Sequence, residues 1–586
     1  MSVRSYLPPL LALALMAGAG GAAAQAGAAA ADTAPPAPPP PLLITGDAAA
    51  QAVTLPGDSG APALPAALPA PPSPAWLRAL PTVGGAQEEA LRAAQLRGTE
   101  APGGFLLRSP SSMAAAAPAG RPLAVLAPEV LLAWNSRLPF SFLDGALWAG
   151  RGGGTLVMAG VDVQVGPVRL IAAPELAWSA NTPFDTLLPP EWRQADPETF
   201  YPDWQRNEHS IDLPYRMGDD AVAGVRAGQS SLTVRAGAVA FGAATENQWW
   251  GPGVRSALVL SNQAPGFGHL FVRTARPLRT PAGTVEARWI AGALRDSRWY
   301  AAAHGGERGW RSFSAAAVVL APSRALSLGV ARSVYAPAEG AADALSQGAL
   351  VFTRWDQIGA IYRDPSEQIT SFFGRLLMPE AGMEVYAEWA RTRLPIYLRE
   401  LLETPEHSQG YTLGLQWLRP LRRGDLRIQA EHTYLEESPT YAWRENGSWY
   451  ASAQVPQGYT HQGQVLGSPV GPGGSGQWVA ADWLRGRGRA GLFLARVRWA
   501  QDAYYAQPGG FNRYLAYDVS MFGGVRAAWA VGGVRLDAEY ALEHRWNIFF
   551  QNDAVNFLDR KDGVRARNHM LRLRFTAAAP RLGRAN

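Results

Sequence analysis

Side chains that could bind a sugar lie close together between residues 245 and 277. Trp249 and Trp250 run directly into Gly251-Pro252-Gly253, a turn that neither a helix interior nor a central strand tolerates. A second turn follows at 262–266. Indole faces can pack on the apolar faces of a sugar, and amides can bind its hydroxyls. The alternative is that both indoles pack inside the protein as a plug or lie in an aromatic belt at the membrane interface.

A second group of such residues lies in the long Gly-rich segment 436–477. It offers indoles, an amide and an imidazole near one another, which are the types that bind hydroxyls and apolar sugar faces. From the two segments together, the predicted glycan-binding residues are Asn247, Gln248, Trp249, Trp250, Asn262, Gln263, His269, Trp443, Asn446, Trp449, His461 and Gln462.

Motifs of catalysis are mostly missing. The sequence has no G-x-S-x-G turn, no H-E-x-x-H zinc helix and no cysteine, so the common serine, zinc and thiolate sites have no local signature. Ser261 with His269 is the nearby pair to inspect for a hydrolase. We therefore predict no catalytic residue, no metal site and no cofactor, with a lipid or glycan hydrolase as the least favoured alternative.

The composition argues against nucleic-acid binding. The 586 residues carry a formal net charge of +5, and Lys561 is the single lysine. The arginines are scattered through alternating segments instead of forming the basic face that nucleic acid requires. The positive charge thus gives no evidence of a nucleic-acid partner.

The pattern of the first 119 residues predicts a signal peptide, a linker and a short helical segment. Residues 1–24 have a positive start, an apolar core and small residues before Gln25, as in a signal peptide. Residues 25–73 are rich in Ala and Pro and predict a disordered periplasmic linker. Within 74–119 we expect a short helical periplasmic segment, with a turn or two at 74–80 and a helix at 87–96.

Beyond residue 120 the pattern changes to a period of two. Apolar and polar residues alternate in 383–389, 426–431, 493–499, 534–540 and 571–575. The apolar faces are rich in aromatic residues, as the lipid-facing side of a membrane barrel requires. We predict an all-β fold, a large antiparallel transmembrane β-barrel over 120–578 with sixteen to twenty strands, followed by a C-terminal tail at 579–586.

Two connections are too long for tight hairpins. Residues 179–219 and 436–477 contain many aromatic residues, which favours ordered loops, either outside the membrane or folded into the barrel lumen. The last alternating strand ends at Phe575, an aromatic terminus of the kind that barrel-insertion machinery reads. We expect the lumen to be filled by polar side chains and loops.

Several ordered motifs resemble the capsule assembly protein Wzi family. They are WNSRLPFSFLDGALWAGRG at 134–152, IDLPYRMG at 211–218, GQS at 228–230, TEN-x-WWGPG from 245, LSN-x-AP-GF-x-HL from 260, EVYAEWAR at 384–391 and HQGQVLGSPVGPGG at 461–474. The resemblance implies an outer-membrane barrel of eighteen strands that binds capsular polysaccharide.

The resemblance and the residues together give one functional expectation and one main alternative. The first is an outer-membrane protein that anchors capsular or extracellular polysaccharide at the surface of a Gram-negative-type bacterium. Its expected partners are that polysaccharide, outer-membrane lipid and the barrel-insertion machinery, and we expect a monomer. The alternative is a channel for oligosaccharides or small solutes, favoured by charges of both signs on the lumen face.

Overall fold

The structure is a computed structural model that describes most of the chain beyond residue 76. The described ranges are 77–100, 105–114, 122–184, 211–303, 308–354, 365–392, 398–438, 440, 447–505, 517–531, 533–550 and 565–577. The predicted signal peptide at 1–24, linker at 25–73 and tail at 579–586 lie outside these ranges. Their assignments therefore stay predictions.

One large antiparallel sheet closes on itself to form the barrel. Its uninterrupted strands are β3 (Leu123–Asn135), β4 (Gly152–Val165), β9 (Val239–Ala244), β13 (Gly283–Arg295), β14 (Trp310–Ala321), β15 (Leu326–Ala338), β16 (Glu367–Met378), β17 (Met383–Arg391), β18 (Gln409–Leu421), β19 (Gly424–Tyr434), β22 (Ser475–Arg485), β23 (Gly488–Arg498), β24 (Val519–Val531), β25 (Val534–Trp546) and β26 (Arg565–Ala577).

Three further barrel strands are each interrupted once. They are β5 with β6 (Val168–Ala172, Glu175–Ser179), β7 with β8 (Val222–Arg226, Ser231–Ala236) and β11 with β12 (His269–Thr274, Leu278–Thr280). Strand β26 pairs with β3, and β9 pairs with β11, so the sheet has no free edge. The result is a closed barrel of 18 strands, which confirms the predicted fold class and strand number.

The two ends of the barrel differ in the length of their connections. At one end, hairpins such as those joining β18 to β19 and β22 to β23 have only two residues between strands, at 422–423 and 486–487. At the other end, the segments between strands run from 14 residues at 296–309 to 42 residues at 180–221. Bacterial barrels place short turns in the periplasm and long loops outside, so this difference assigns the two ends.

Side chains alternate between a lipid-facing outer surface and a polar interior. In β17, Glu384 and Glu388 are 0% and 1% exposed, whereas Val385 between them is 43% exposed. The same alternation holds in β19, where Arg427 is buried on the lumen side. An apolar outside and a charged inside suit a barrel surrounded by lipid, and they confirm the predicted alternation in these strands.

In β23 the apolar face that we expected to meet the membrane points inward. Phe493 and Val497 are buried, while Leu492 and Leu494 are 58% and 61% exposed on the outer surface. Both faces of this strand carry apolar residues, so alternation alone does not distinguish them. The apolar side chains of the inner face pack in a hydrophobic cluster with loop residues inside the lumen.

A helix lies inside the barrel at its periplasmic end. This helix, α1 (Ala86–Leu96), confirms the prediction for 87–96 and places Glu88 and Glu89 in its first turn. Arg489 donates to Glu89 at 2.6 Å, and Arg427 also binds it. Burial would raise the pKa of Glu89, but Arg489, Arg427 and Arg526 outweigh that effect and hold the pKa well below its usual value.

The helical turn predicted at 74–80 is not present in the described part of that segment. Leu77 and Arg78 form strand β1, which pairs in parallel with Val125 and Leu126 of β3. Pro81 disfavours a helical conformation in the residue before it, and the start of β3 offers free backbone partners. Backbone pairing therefore prevails over local helix propensity.

The remaining elements are short. The other α-helices are Pro110–Met113, Arg298–Ala303, Ala341–Ser346, Leu350–Thr353, Leu398–Glu403 and Gln501–Tyr505, the 3-10 helices are Gln347–Ala349, Pro379–Ala381 and Ile548–Phe550, and the small strands are β2 (Leu107–Arg108), β10 (Trp249–Trp250), β20 (Thr460–His461) and β21 (Gln464–Val465). Among the described residues, no helix has the length and apolar character needed to cross a membrane.

Candidate functional site

The segment 245–268 folds into the lumen and places both tryptophans in its interior. Strand β10 (Trp249–Trp250) pairs with β2 (Leu107–Arg108) of the segment that follows α1. Both indoles are 0% exposed, and Arg108 lies 5.2 Å from the centre of the Trp249 ring. The indoles thus occupy the internal position that the plug alternative predicts, and neither presents a face to the outside.

Two carboxylates of the barrel wall hold this segment by its backbone. Glu388 of β17 accepts a hydrogen bond from the Leu258 amide at 3.2 Å and one from the Ser371 hydroxyl at 2.7 Å. Glu431 of β19 accepts hydrogen bonds from the amides of Val254 at 2.6 Å and Arg255 at 3.0 Å. The contacts with Leu258, Val254 and Arg255 involve backbone amides, so they fix the path of the chain inside the lumen.

The predicted amide ligands near the tryptophans are engaged with other protein groups. Asn247 accepts from Gln229 at 2.7 Å and donates to the carbonyl of Ala264 at 2.8 Å. Gln248 accepts from Arg288, and its amide nitrogen lies 3.4 Å from the His269 ring nitrogen Nε2. Asn247, Gln248 and His269 are all buried, so they build the interior of the lumen.

Asn262 and Gln263 connect this segment with the loop 136–151, which also folds inward. The Asn262 side chain donates to the carbonyl of Leu143 at 3.1 Å. Gln263 accepts from the Leu143 amide at 2.7 Å and donates to the carbonyl of Ser141 at 3.1 Å. The two inward loops are therefore joined to each other as well as to the wall.

Ser261 and His269 do not form a nucleophile and base pair. The Ser261 hydroxyl donates to the carbonyl of Gly467 at 2.5 Å and accepts from the Gln263 amide. His269 Nδ1 lies 2.8 Å from the carbonyl oxygen of Phe267. Each side chain is thus committed to a different structural contact, and the geometry gives the hydrolase hypothesis no support.

The segment 447–474 is the third that folds into the lumen. Tyr450 and Tyr459 stack with their ring centres 5.5 Å apart. Their hydroxyls donate to the carbonyls of Leu258 and Val259, each at 2.9 Å. This segment therefore packs against 245–268, so the three inward loops form one connected body among the described residues.

The predicted site residues of this third segment have mixed positions. Trp449 is 1% exposed and donates to the carbonyl of Gln409 at 2.8 Å. His461 is buried and accepts from the Arg295 amide at 3.1 Å, while Gln462 is half-buried and accepts from Arg226 at 3.1 Å. Trp443 and Asn446 lie outside the described residues.

His461 is held in its neutral form. Burial lowers its pKa first, and the nearby cations Arg311, Arg226 and Arg308 lower it further, to about 3. A neutral imidazole can accept the hydrogen bond from the Arg295 amide. This histidine therefore acts as a fixed acceptor inside the loop body at neutral pH.

Sequence reasoning missed a group of arginines and tryptophans at the long-loop end. Arg298 is exposed and lies 4.5 Å from the centre of the Trp299 ring, and Arg295 lies 4.7 Å from that of Trp310. Arg308 is half-buried nearby and donates to the carbonyl of Asp296 at 2.9 Å. The recurrence of Arg and Trp within 295–310 was the available signal. We call Arg295, Arg298, Trp299, Arg308 and Trp310 the outer Arg/Trp cluster.

The described residues show no group of three His, Asp or Glu side chains placed to hold a metal ion. What they do show is a closed, 18-strand barrel with an apolar outer surface, a charged interior and a lumen that contains three inward-folded loops. These features define the class: an outer-membrane β-barrel protein of the bacterial type whose interior is occupied by its own chain.

The chain belongs to the capsule assembly protein Wzi family, whose family model matches residues 161–557. The protein is therefore located in the outer membrane, as predicted. Its fold is similar to that of Wzi from Escherichia coli, described as an outer-membrane, carbohydrate-binding β-barrel involved in group 1 capsule assembly. The two share 11% identity over 76% of this chain and 83% of that one, with a TM-score of 0.50.

Other barrels are less similar in structure. Acinetobacter baumannii OccAB2 matches with 7% identity over 77% of this chain and 97% of that one, with a TM-score of 0.35. Pseudomonas aeruginosa OccK7 matches with 8% identity over 77% and 98% of the respective chains, also with a TM-score of 0.35. No curated protein matches the sequence.

Proposed function

We propose that the protein binds a capsular or extracellular polysaccharide at the cell surface and anchors it to the outer membrane. Family membership supports a role in capsule assembly. The observation that carries the proposal is the connected body of three loops in the lumen, fixed to the wall at Glu388 and Glu431. A barrel filled in this way suits attachment better than transport of a polymer.

We further propose that the outer Arg/Trp cluster makes contact with the polymer. Guanidinium groups donate to hydroxyls and carboxylates in fixed geometry, and indoles pack on the apolar faces of sugar rings. Arg298 is exposed and Trp299 is half-buried, so both can be reached from outside. Of the residues predicted from sequence, the buried ones, such as Trp249 and Asn247, would act by shaping the loops that support this surface.

The other partners follow from the same arrangement. Outer-membrane lipid would surround the apolar outer face, and the barrel-insertion machinery would read the last strand, β26, in which Phe575 lies. We propose that the protein acts as a monomer, because closing the barrel leaves no edge strand for pairing with a second copy. The proposed attachment involves no bond-making step and requires no catalytic centre.

The test is the distribution of surface polysaccharide between cells and medium. Deletion of the gene is expected to move polymer from the cell-bound fraction to the medium while the total amount is unchanged. Complementation with a combined Arg298→Ala and Trp299→Ala variant should restore little binding. The matched control, Arg422→Ala with Arg423→Ala, changes exposed residues of a periplasmic turn and should restore retention fully.

Two outcomes would contradict the proposal. Unchanged cell-bound polymer in the deletion strain, with reduced uptake of a small sugar, would favour the channel alternative. Large, steady conductance of the purified protein in a planar bilayer would likewise show that the loops do not close the lumen. Heat-resistant migration of each variant in detergent would confirm that its barrel is folded before retention is compared.

A further inference from the structure

Two adjoining cavities remain inside the lumen between helix α1 and the inward loops. Their volumes are about 60 and 210 Å³. Phe140, Phe142, Arg255, Glu539 and Arg572 line both cavities, which places these residues at the junction. The combined space is below the 300–1,000 Å³ typical of sites for drug-sized ligands, so its occupant would be a small molecule and not a polymer chain.

The smaller cavity is largely apolar. Trp478, Phe493 and Phe522 line it, and all three are buried. The larger cavity is polar and charged, with Arg427, Arg489 and other ionised side chains around it. A space that is apolar at one end and charged at the other differs from a simple water-filled void, which needs polar partners on most sides.

Arg255 at the junction has a guanidinium group that forms no ion pair with a described residue. Its side chain makes no ion pair or hydrogen bond with them, and its Nε is buried without a partner. The guanidinium instead lies 4.7 Å from the centre of the Phe142 ring and 5.4 Å from that of Trp478. The backbone amide of Arg255 is fixed by Glu431 at 3.0 Å, so this cation is held in place at the junction.

The other arginines around the cavities have carboxylate partners. Arg572 binds Asp144 at 2.9 Å, and Arg489 binds Glu89 at 2.6 Å. Glu539, at the junction with Arg255, makes no hydrogen bond with a described residue, although its charge acts on Arg572, its cross-strand neighbour. The junction therefore presents one guanidinium and one carboxylate that have no hydrogen-bond partner among the described residues, beside an apolar wall.

We propose that these two cavities form a luminal binding site for an acidic monosaccharide, such as a hexuronic acid. The sugar carboxylate would bind the guanidinium of Arg255, its hydroxyls would donate to Glu539, and its apolar face would lie on the aromatic wall. The choice of a saccharide rests on the proposed function, whereas the cavities and the uncommitted charges do not. This site is internal and distinct from the outer Arg/Trp cluster.

Calorimetric titration of the purified full-length protein in detergent tests this inference, with D-glucuronic acid, glucose and inorganic phosphate as probes. Glucuronic acid is expected to bind saturably and glucose at least about tenfold more weakly, because only the acid can pair with Arg255. Arg255→Gln should weaken glucuronic acid binding about 10- to 100-fold. The control Arg422→Gln, at an exposed residue, should bind glucuronic acid with the affinity of the wild-type protein.

A second variant tests the site without depending on whether Arg255→Gln folds. Ala541 is buried and lines the smaller cavity, so Ala541→Phe should fill that space and abolish binding without removing a charge. The inference is overturned if glucuronic acid does not bind saturably, or if both variants bind it normally. It is also overturned if phosphate binds as tightly as glucuronic acid, because the site would then recognise only an anion.

Failure of this inference and failure of the proposed function give different results. Loss of the luminal site appears only in the titration of purified protein. Loss of polymer attachment appears only in the distribution of polysaccharide between cells and medium. Absent glucuronic acid binding together with normal dependence of retention on the gene would reject the luminal site alone.

Discussion

Glu384 of strand β17 joins helix α1 to the barrel wall, and its substitution gives the sharpest test of how this helix is held in place. The carboxylate has no exposed surface. It accepts hydrogen bonds from Arg92 of α1 at 2.6 Å, Arg375 of β16 at 2.8 Å and Gln416 of β18 at 2.7 Å. One side chain thus connects the helix with three neighbouring strands.

Glu384→Gln keeps the shape of this side chain but removes its charge. Arg92 and Arg375 would then both be buried without their shared counter-charge, and breaking a buried ion pair in this way costs about 3–5 kcal/mol. Arg92 keeps its hydrogen bonds to the carbonyls of Pro252 at 2.5 Å and Gly253 at 3.3 Å, which favours the lower value. A cost of about 3 kcal/mol corresponds to a roughly 140-fold rise in the opening equilibrium of α1.

Hydrogen exchange of the α1 amides in the full-length protein measures that equilibrium. Exchange should rise by about two orders of magnitude in Glu384→Gln, with the barrel still heat-resistant. The control Glu380→Gln alters an exposed acid in the adjacent turn and should leave exchange unchanged. Arg92→Leu should have a smaller effect, because Glu384 keeps Arg375. Unchanged protection in folded Glu384→Gln would refute the role given to this carboxylate.

Three further predictions concern the loops and the helix. Gly251→Ala should destabilise the inward loop by about 1–3 kcal/mol, because the φ of Gly251 is +115° and an added Cβ would lie 3.0 Å from Glu388. Heat-resistant migration in detergent measures the effect, and Gly268→Ala, where an added Cβ meets open space, is the control. Trp250→Ala should cost about 3–5 kcal/mol in denaturant unfolding, and Trp250→Phe less. The native pKa of Glu89 is lowered, so the stabilisation that its carboxylate gives to α1 is complete above the unfolded pKa of 4.5 and is lost as the pH falls below that value. Hydrogen exchange of the α1 amides, corrected for intrinsic rates, should show this loss of protection at low pH. In Glu89→Gln the pH dependence should disappear.

The residues named in these predictions also show how far the sequence alone could lead. Alternation in 383–389 correctly placed Glu384 and Glu388 on the face opposite Val385, because side chains along a strand change sides with a period of two. The acidic first turn of α1 was equally local. In β23, where both faces are apolar, the same reasoning assigned Phe493 to the membrane side, and the packing inside the lumen reverses that assignment.

The position of the loops inside the lumen could not be predicted from local sequence patterns. Trp249 and Trp250 have the composition of a sugar platform, yet both are fully buried. Their burial depends on contacts such as the one between Leu258 and Glu388, which are 130 residues apart in the chain. The outer Arg/Trp cluster was overlooked because its residues are spread over 295–310 in the sequence and form one surface only where the ends of β13 and β14 meet.

The sequence by itself determined several of the barrel strands, the helix α1, the barrel class and the family, because these depend on short-range periodicity and on motifs that can be read locally. The tertiary structure alone decided which segments fill the lumen and which side chains remain uncommitted. Arg255 illustrates the difference: its type is visible in the sequence, but the lack of a hydrogen-bond partner for its Nε among the described residues depends on the strands and loops around it. Only the closed barrel fixes those neighbours.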